Sequence, residues 1–509
     1  MIRNSYDTFF VSYGTQSKAY SRGSGVSASF LSTGRGKLIL LLLCGVAFLD
    51  LVDASIVNVA LPSIRNDLDF SNQGLQWVPS GYLLTYGGFM LLGGRFSDLF
   101  GRRRVLVTGT VVFALSSLAG GFANSAGLLV GARLAQGVGA ALMMPAALSL
   151  LTTTFKEGAD RTKAFGAWGA VAGLASAVGV LAGGLLTDGP GWRWVMFVNP
   201  PVCVLILFGA YRMFEREERR SLKGLDLIGA FLATAGMLLL VFALVKAPDQ
   251  GWGSARTVLE LAGAGVLLLV FVLNERVHRD PLLPLGVFRI RGLAAADVTQ
   301  LVGVAGFISM FFFLTLYMQG VLGYSPIRTG LAYLPVTGAV GIGAGIAPKL
   351  VTKVGTRPVA AVGLAVAAVG IFMLSRLKVD GSFTTGLLPG MVVMAVGLGF
   401  MFVAISTAAN AGVPHHQAGV AAALLNASQQ VGGALGLAVF SAISTARLEH
   451  QLKHGVAQPA AFTSGLSWAL TACAIAVACA ALIALRTRNV HSEAEAEGLA
   501  EVEKLVAVG

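Results

Sequence analysis

Two carboxylates and one guanidinium lie where the sequence otherwise offers apolar residues. Asp50 and Asp53 are three apart in the first long apolar stretch, and so share one face if that stretch is helical. Arg133 lies in another such stretch, followed three residues on by Gln136. A charge at mid-membrane costs several kcal/mol on insertion scales, so each one demands a reason. A carboxylate in an apolar cavity tends to take up a proton, whereas an adjacent guanidinium favours its ionised form. Any movement that wets, dries or unpairs Asp53 would therefore load and release a proton. Arg cannot give up its own proton and works as a fixed counter-charge. A permanent ion pair fixing two helices is the alternative for Asp53 and Arg133. Asp50 suits proton carriage or the binding of a cationic solute equally well.

The elements that must position these groups follow from composition. The chain has 509 residues, 55% hydrophobic and only 12% charged, with 65 glycines. Soluble domains carry about a quarter charged residues, which excludes a cytosolic enzyme or a disordered chain. Fourteen apolar windows can be read between residues 38 and 485. Lipid offers the backbone no hydrogen-bond partner, so all are expected to be helices. The fold expected is all-α and polytopic, with 14 transmembrane helices in two pseudo-repeated six-helix bundles plus two inserted helices. The divisions are 37–215 for the first bundle, 216–275 for the inserted pair and 276–486 for the second. Residues 1–36 read as a disordered cytoplasmic tail and 487–509 as a second, acidic one. With the N-terminus inside, 27 of the 37 Lys and Arg fall in cytoplasmic segments and 9 in external loops. That bias puts both termini in the cytoplasm of a multi-pass cell-membrane protein. The net charge of +12 then marks the cytoplasmic face rather than nucleic-acid binding. The cysteines Cys44, Cys203, Cys473 and Cys479 lie in apolar stretches without metal-ligand spacing, and read as packing residues.

Depth can be counted along the helices. From Pro62 inward, Asp53 lies roughly 14 Å below the outer boundary; from Ala126, Arg133 lies roughly 10 Å down and Gln136 roughly 15 Å. The groups can meet if the first and fourth spans face one cavity. The sharpest local motif joins the second and third spans: Gly94-Arg-Phe-Ser-Asp98-Leu-Phe-Gly101-Arg102-Arg103-Arg104. Its glycines allow a tight turn, and Asp98 is within reach of an ion pair able to latch one conformation, a cytoplasmic gate.

This segment resembles the loop 2–3 signature of the major facilitator superfamily, and further patterns of that family appear in order. Asp53-Ala-Ser-Ile-Val-Asn58-Val-Ala-Leu-Pro62 resembles the first-helix motif of its fourteen-span drug/proton antiporters. Arg133-Leu-Ala-Gln136-Gly137-Val-Gly139 resembles the motif assigned there to proton coupling. Trp192-Arg193-Trp194 with Asn199-Pro200, Gly323-Tyr-Ser-Pro326 and Gly419 to Gln430 are similar to later segments of those antiporters. One departure matters: the fifth-span motif is Gly179-Val180-Leu-Ala-Gly183-Gly184, with Val180 where the family has proline. The glycines still offer a close helix–helix face, but without the proline the case for antiport over symport weakens. Pro348 to Arg357 aligns with loop 2–3, Thr352 standing for Asp98 and Gly355 for Gly101.

The resemblance implies a proton-coupled exporter of amphipathic drugs or antibiotics working by alternating access, with proton coupling at Asp53, Arg133 and Asp50. Candidates for the substrate cavity are Asn58, Gln136, Asp297, Tyr317, Gln319, Asn426 and Gln430. Singly, each polar one could equally hydrogen-bond between helices, and Asp297 could either attract a cationic drug or face headgroups. A proton crossing 100 mV releases about 2.3 kcal/mol. That sustains a gradient of roughly fiftyfold for a neutral solute. The sequence shows no phosphate-binding loop, metal cluster or nucleophile constellation, so no cofactor, metal or catalytic residue is expected. A proton-coupled importer on the same fold is the rival reading, and a membrane enzyme or sensor a more distant one. The partners implied are protons, a small amphipathic molecule and the lipid bilayer, with a monomeric protein.

Overall fold

The computed structural model describes residues 30–71, 74–155, 159–215, 226–278, 281–283, 285–290, 292–411, 413 and 418–491. Among them the regular elements are helices, with no strand. The long helices are α1 (Gly34–Asp67), α2 (Trp77–Phe100), α3 (Arg102–Gly121), α4 (Ala126–Thr154), α5 (Ala159–Asp188) and α6 (Trp194–Met213, interrupted at Val198). There follow α7 (Leu227–Gln250), α8 (Ala255–Val277), α9 (Leu293–Gly320) and α10 (Pro326–Val354). The last are α11 (Thr356–Leu374), α12 (Leu388–Asn410), α13 (Ala418–Lys453) and α14 (Gln458–Ala484). Eleven helices of the described chain are long and apolar enough to cross a membrane.

Helix starts follow their local chemistry. Thr33, Ser125, Asp226, Ser254 and Ser325 each accept a hydrogen bond from a backbone N–H of the following first turn, at α1, α4, α7, α8 and α10. Gly101 alone separates α2 from α3, with φ +91°, and Gly355 alone separates α10 from α11, with φ +88°. Both are backbone conformations that glycine adopts without penalty.

Helix pairing repeats along the chain. Within α1–α6, α1 packs on α5, α4 and α6, α2 on α4, and α3 on α4 and α6. Within α9–α14, α9 packs on α13, α12 and α14, α10 on α12, and α11 on α12 and α14. Each pair in the second set is a pair in the first shifted by eight helices. The sets meet crosswise, α2 on α13 and α5 on α10, with α1 against α9. Helix α7 lies against α2 and α13, and α8 packs on α7. Asn274 of α8 donates to Asp226 at the start of α7 at 2.6 Å and ties that pair at one end.

The two single-glycine joints are fastened differently. At α2–α3, Arg103 donates to the Tyr211 carbonyl at 3.3 Å and stacks on its ring. At α10–α11 the segment after α14, expected to begin a solvated tail, supplies the partners. Thr356 N–H donates to Val490 O at 2.9 Å, Thr356 Oγ1 to Arg488 O at 2.8 Å and Arg357 Nε to Thr487 O at 2.9 Å.

Glycines set the tightest approaches. A Cβ on Gly397 of α12 would overlap the Gly363 carbonyl oxygen and the Ala367 nitrogen of α11, whereas one on Gly45 of α1 meets nothing within 4 Å. Gly397→Leu is expected to cost about 1–3 kcal/mol by overpacking. Thermal unfolding in detergent should show a lowered midpoint for that variant and an unchanged one for Gly45→Leu.

Candidate functional site

Five helices of the first set converge on one carboxylate. Asp53 is 0% exposed and pairs with Arg133, 1% exposed, through Nη1–Oδ2 at 2.6 Å. Gln136 Nε2 donates to Asp53 Oδ1 at 2.7 Å, and Asn199 Nδ2 donates to the same oxygen at 2.6 Å. Arg133 Nη1 also donates to Gln136 Oε1 at 2.6 Å, and Arg133 Nε donates to the Val78 carbonyl at 3.1 Å. Ser117 Oγ accepts from Gln136 at 3.0 Å and donates to Phe113 O at 2.8 Å. The Tyr82 ring lies 4.3 Å from the guanidinium carbon, so the cation is held by the carboxylate and an aromatic face together. The contributors are α1 (Asp53), α2 (Val78, Tyr82), α3 (Ser117), α4 (Arg133, Gln136) and α6 (Asn199).

The sequence around Arg133 explains how so many groups fit. A Cβ on Gly137 would overlap Thr85 and the Tyr82 carbonyl of α2, and one on Gly139 would lie 2.6 Å from Phe113 N of α3. With the glycines bare, α4 sits close enough for Thr85 Oγ1 to donate to Leu134 O at 2.7 Å. Short side chains thin the helix where its polar ones must reach inward.

Asp50 lies one turn away and is 4% exposed. Its Oδ1 accepts the Tyr82 hydroxyl and its Oδ2 the Tyr86 hydroxyl at 3.2 Å. Gln430 of α13, in the other set, lies beside this helix at the adjoining Gly87, where a Cβ would stand 3.0 Å from Gln430 Cβ.

The fifth-span glycines face two helices. A Cβ on Gly179 would lie 2.6 Å from Ser55 Cβ and one on Gly183 2.7 Å from Ile56 O, both on α1. One on Gly184 would lie 2.6 Å from Ile327 Cα of α10, and one on Gly330 of α10 would overlap the Val180 carbonyl. Gln319 Nε2 of α9 donates to Val59 O of α1 at 2.8 Å, another link between the sets. Helix α5 runs unbroken through Val180, where the family pattern has proline.

The remaining sequence candidates are scattered. Asn58 donates to Ala54 O and Asn426 to Ala422 O, each within its own helix. Tyr317 is buried and donates to Lys378 O at 2.6 Å, which ties it to the α11–α12 connection. Asp297 is 5% exposed, and neither of its oxygens has a hydrogen-bond partner. Gly94 is loosely packed, its nearest approach being to Pro145, and Arg102 begins α3. The side chain of Asp98 and residues His415 and His416 lie outside the described residues. Of the cysteines, Cys44, Cys203 and Cys473 are buried, whereas Cys479 is exposed. Sequence reasoning missed Ser117, Tyr82 and the part played by Asn199, which it named only within a motif. Tyr82 had a signal, since it stands four residues before Tyr86 and so shares its helix face.

Breaking a buried pair from one side leaves an uncompensated charge and costs about 3–5 kcal/mol. Arg133→Leu should therefore lower the unfolding midpoint sharply, and adding Asp53→Asn should recover part of the loss. Equal midpoints for the single and double variants would contradict the pairing.

Comparisons with known proteins fit this architecture. The Major Facilitator Superfamily pattern matches residues 43–437. The chain is 42% identical over 432 residues to a puromycin resistance protein of Streptomyces alboniger, covering 84% of this chain and 85% of that protein. It is 38% identical over 427 residues to a cephamycin export protein of Amycolatopsis lactamdurans, covering 83% and 88%. It is 35% identical over 436 residues to a tetracenomycin C resistance and export protein of Streptomyces glaucescens, covering 85% and 80%. Among solved structures, an inward-facing bacterial homolog of the human lysosomal transporter Spinster aligns with TM-score 0.62 at 17% identity, over 89% of this chain and 97% of that one. A D-xylose-proton symporter aligns with TM-score 0.60 at 16% identity, over 88% and 96%. These two share the fold alone. With its family pattern spanning most of the chain and relatives matched nearly end to end, the protein belongs to the major facilitator superfamily.

Proposed function

We propose that this chain is a proton-coupled exporter of amphipathic drugs or antibiotics, with fourteen spans and both termini in the cytoplasm. The observation that carries the reading is the Asp53–Arg133 pair, buried at the meeting point of five helices in a chain whose relatives are named for antibiotic resistance and export. The helix-pairing pattern supports two six-helix halves, α1–α6 and α9–α14, with α7 and α8 inserted. The close approaches of Gly184 to Ile327, Gly330 to Val180 and Gln319 to Val59 lie toward the ends carrying the α1–α2, α5–α6 and α9–α10 connections. Basic-residue bias assigns those ends to the outside. On that assignment the outer side of the structure is sealed.

The coupling mechanism follows from the hydrogen bonds. Arg133, Gln136 and Asn199 all donate to the Asp53 carboxylate. These three donors leave one of the carboxylate's roughly four lone-pair sites, but a proton placed there makes an O–H with no acceptor among its partners, so protonation is favoured once a donor withdraws. As the halves rock, a shift of α3, α4 or α6 against α1 inside the first half opens a place for the proton and lets the site face the other side. Substrate binding in the cavity and proton binding at Asp53 then compete through helix position, without contact between the two ligands. Import has in its favour only Val180 in place of proline; the names of the relatives support export.

Reconstituted in proteoliposomes, the wild type should release protons when puromycin is added against a pH gradient. Asp53→Asn, which keeps the shape of the side chain, should fold and abolish that proton movement. Unaltered coupling in the variant would remove Asp53 from the role. Gly184→Leu should wedge α5 from α10 and favour the outward-open state, read as faster labelling of a cysteine placed on the outer side of the cavity; unchanged labelling would contradict the seal.

A further inference from the structure

Asp50 is left over from the Asp53 switch. It shares the first helix and the burial of Asp53, yet among the described residues it has no ion-pair partner. The charged and titratable groups facing it are Asp53 on its own helix, Arg133 on α4, and Tyr82 and Tyr86 on α2. Helices α5, α6, α9 and α10, which also touch α1, present none to it. Its partners are hydroxyls, and one of them stands on the boundary between the halves. Tyr86 donates to Asp50 Oδ2, and Gln430 of α13 stands across the boundary beside the adjoining Gly87. The adjoining Gly87 keeps that boundary thin, since a Cβ there would lie 3.0 Å from Gln430 Cβ and 3.2 Å from Val431 N.

A tyrosine hydroxyl has one hydrogen, and the whole arrangement turns on where it points. While Asp50 is a carboxylate, both tyrosines give it their hydrogens, and the Tyr86 oxygen is free to accept from the Gln430 amide. When a proton from water binds Asp50, the new O–H has the Tyr86 oxygen in front of it. The Tyr86 hydrogen must then turn away from Asp50 towards Gln430, whose amide has to present its carbonyl instead of its NH2. No proton crosses to α13; only the direction of the chain reverses. The contact between the halves is remade or lost.

We propose that Tyr86 and Gln430 are positioning residues that pass the protonation state of Asp50 from the first half to the second. The inference rests on the proton-coupled reading above, and deepens it by naming the link between proton binding and the rocking of the halves. Asp50 then carries a proton in the cycle beside the one at Asp53.

The test needs no drug. In the full chain, with Cys44, Cys203, Cys473 and Cys479 replaced by alanine, spin labels are placed at Thr153 and Asn410, exposed positions at the inner ends of α4 and α12. Their separation is measured by pulsed dipolar spectroscopy in lipid nanodiscs from acid to alkaline pH. The wild type should redistribute between short and long separations as pH changes. Tyr86→Phe, which keeps the ring and removes the hydroxyl, should lose that shift, as should Asp50→Asn and Gln430→Ala. A pH-insensitive wild type overturns the proposal, and so does a Tyr86→Phe profile that overlays it. If wild-type puromycin–proton exchange is intact while the Tyr86→Phe profile is unchanged, the link fails and the exporter stands. If the pH shift depends on Tyr86 while no puromycin moves, the substrate reading fails and the link stands.

Discussion

A carboxylate and a guanidinium buried together are the constraint around which the first half is built. Transferring either ion alone from water to such a place costs several kcal/mol even after relaxation. Contact between the two offsets the cost only with further hydrogen bonds to the remaining polar atoms. The structure supplies these from Gln136, Asn199 and Ser117, the Val78 carbonyl and the Tyr82 ring. They come from four helices, α2, α3, α4 and α6. The bare glycines of α4 are a consequence, because side chains there would hold α2 and α3 too far away.

The same constraint makes the site a switch. A network in which every partner of the carboxylate is a donor is complete with the carboxylate ionised and incomplete once it holds a proton. Its completeness depends on the relative positions of α1, α3, α4 and α6, four helices of the same half, so a shift within that half makes or breaks it. The opposite half has no equivalent among the described residues. Its buried carboxyl, Asp297, has no partner, and its loop joint is held by the segment after α14. The halves share a pairing pattern but not a chemistry: one carries charge, the other presents Gln430 and Gln319 to it.

Much of this was legible in the sequence. Charges are so scarce in the apolar windows that Asp53 and Arg133 stood out, and counting residues from the helix ends placed them at similar depth. Gly101 and Gly355 were legible because a one-residue joint between helices needs positive φ. Ser117 and Asn199 were not, since their role depends on the rotation of α3 and α6 about their axes. Tyr317 and Asp297 illustrate the same limit. Helix α9 is packed against α1, α12, α13 and α14, and its apolar residues run all round it, so no stripe says which face meets open space. The fastening of residues 487–490 to the α10–α11 joint was hidden for another reason: it uses backbone atoms, which every residue type carries.

The claim on which the account turns is that Asp53 gains and loses a proton as the protein changes state. Infrared difference spectroscopy of the lipid-embedded protein, with and without bound puromycin, reads this directly from the stretch of a protonated carboxyl group. In an Asp50→Asn background, where the second carboxyl is silent, the account predicts a band that Asp53→Asn removes and that survives in Asp297→Asn. The same band persisting in Asp53→Asn would contradict it.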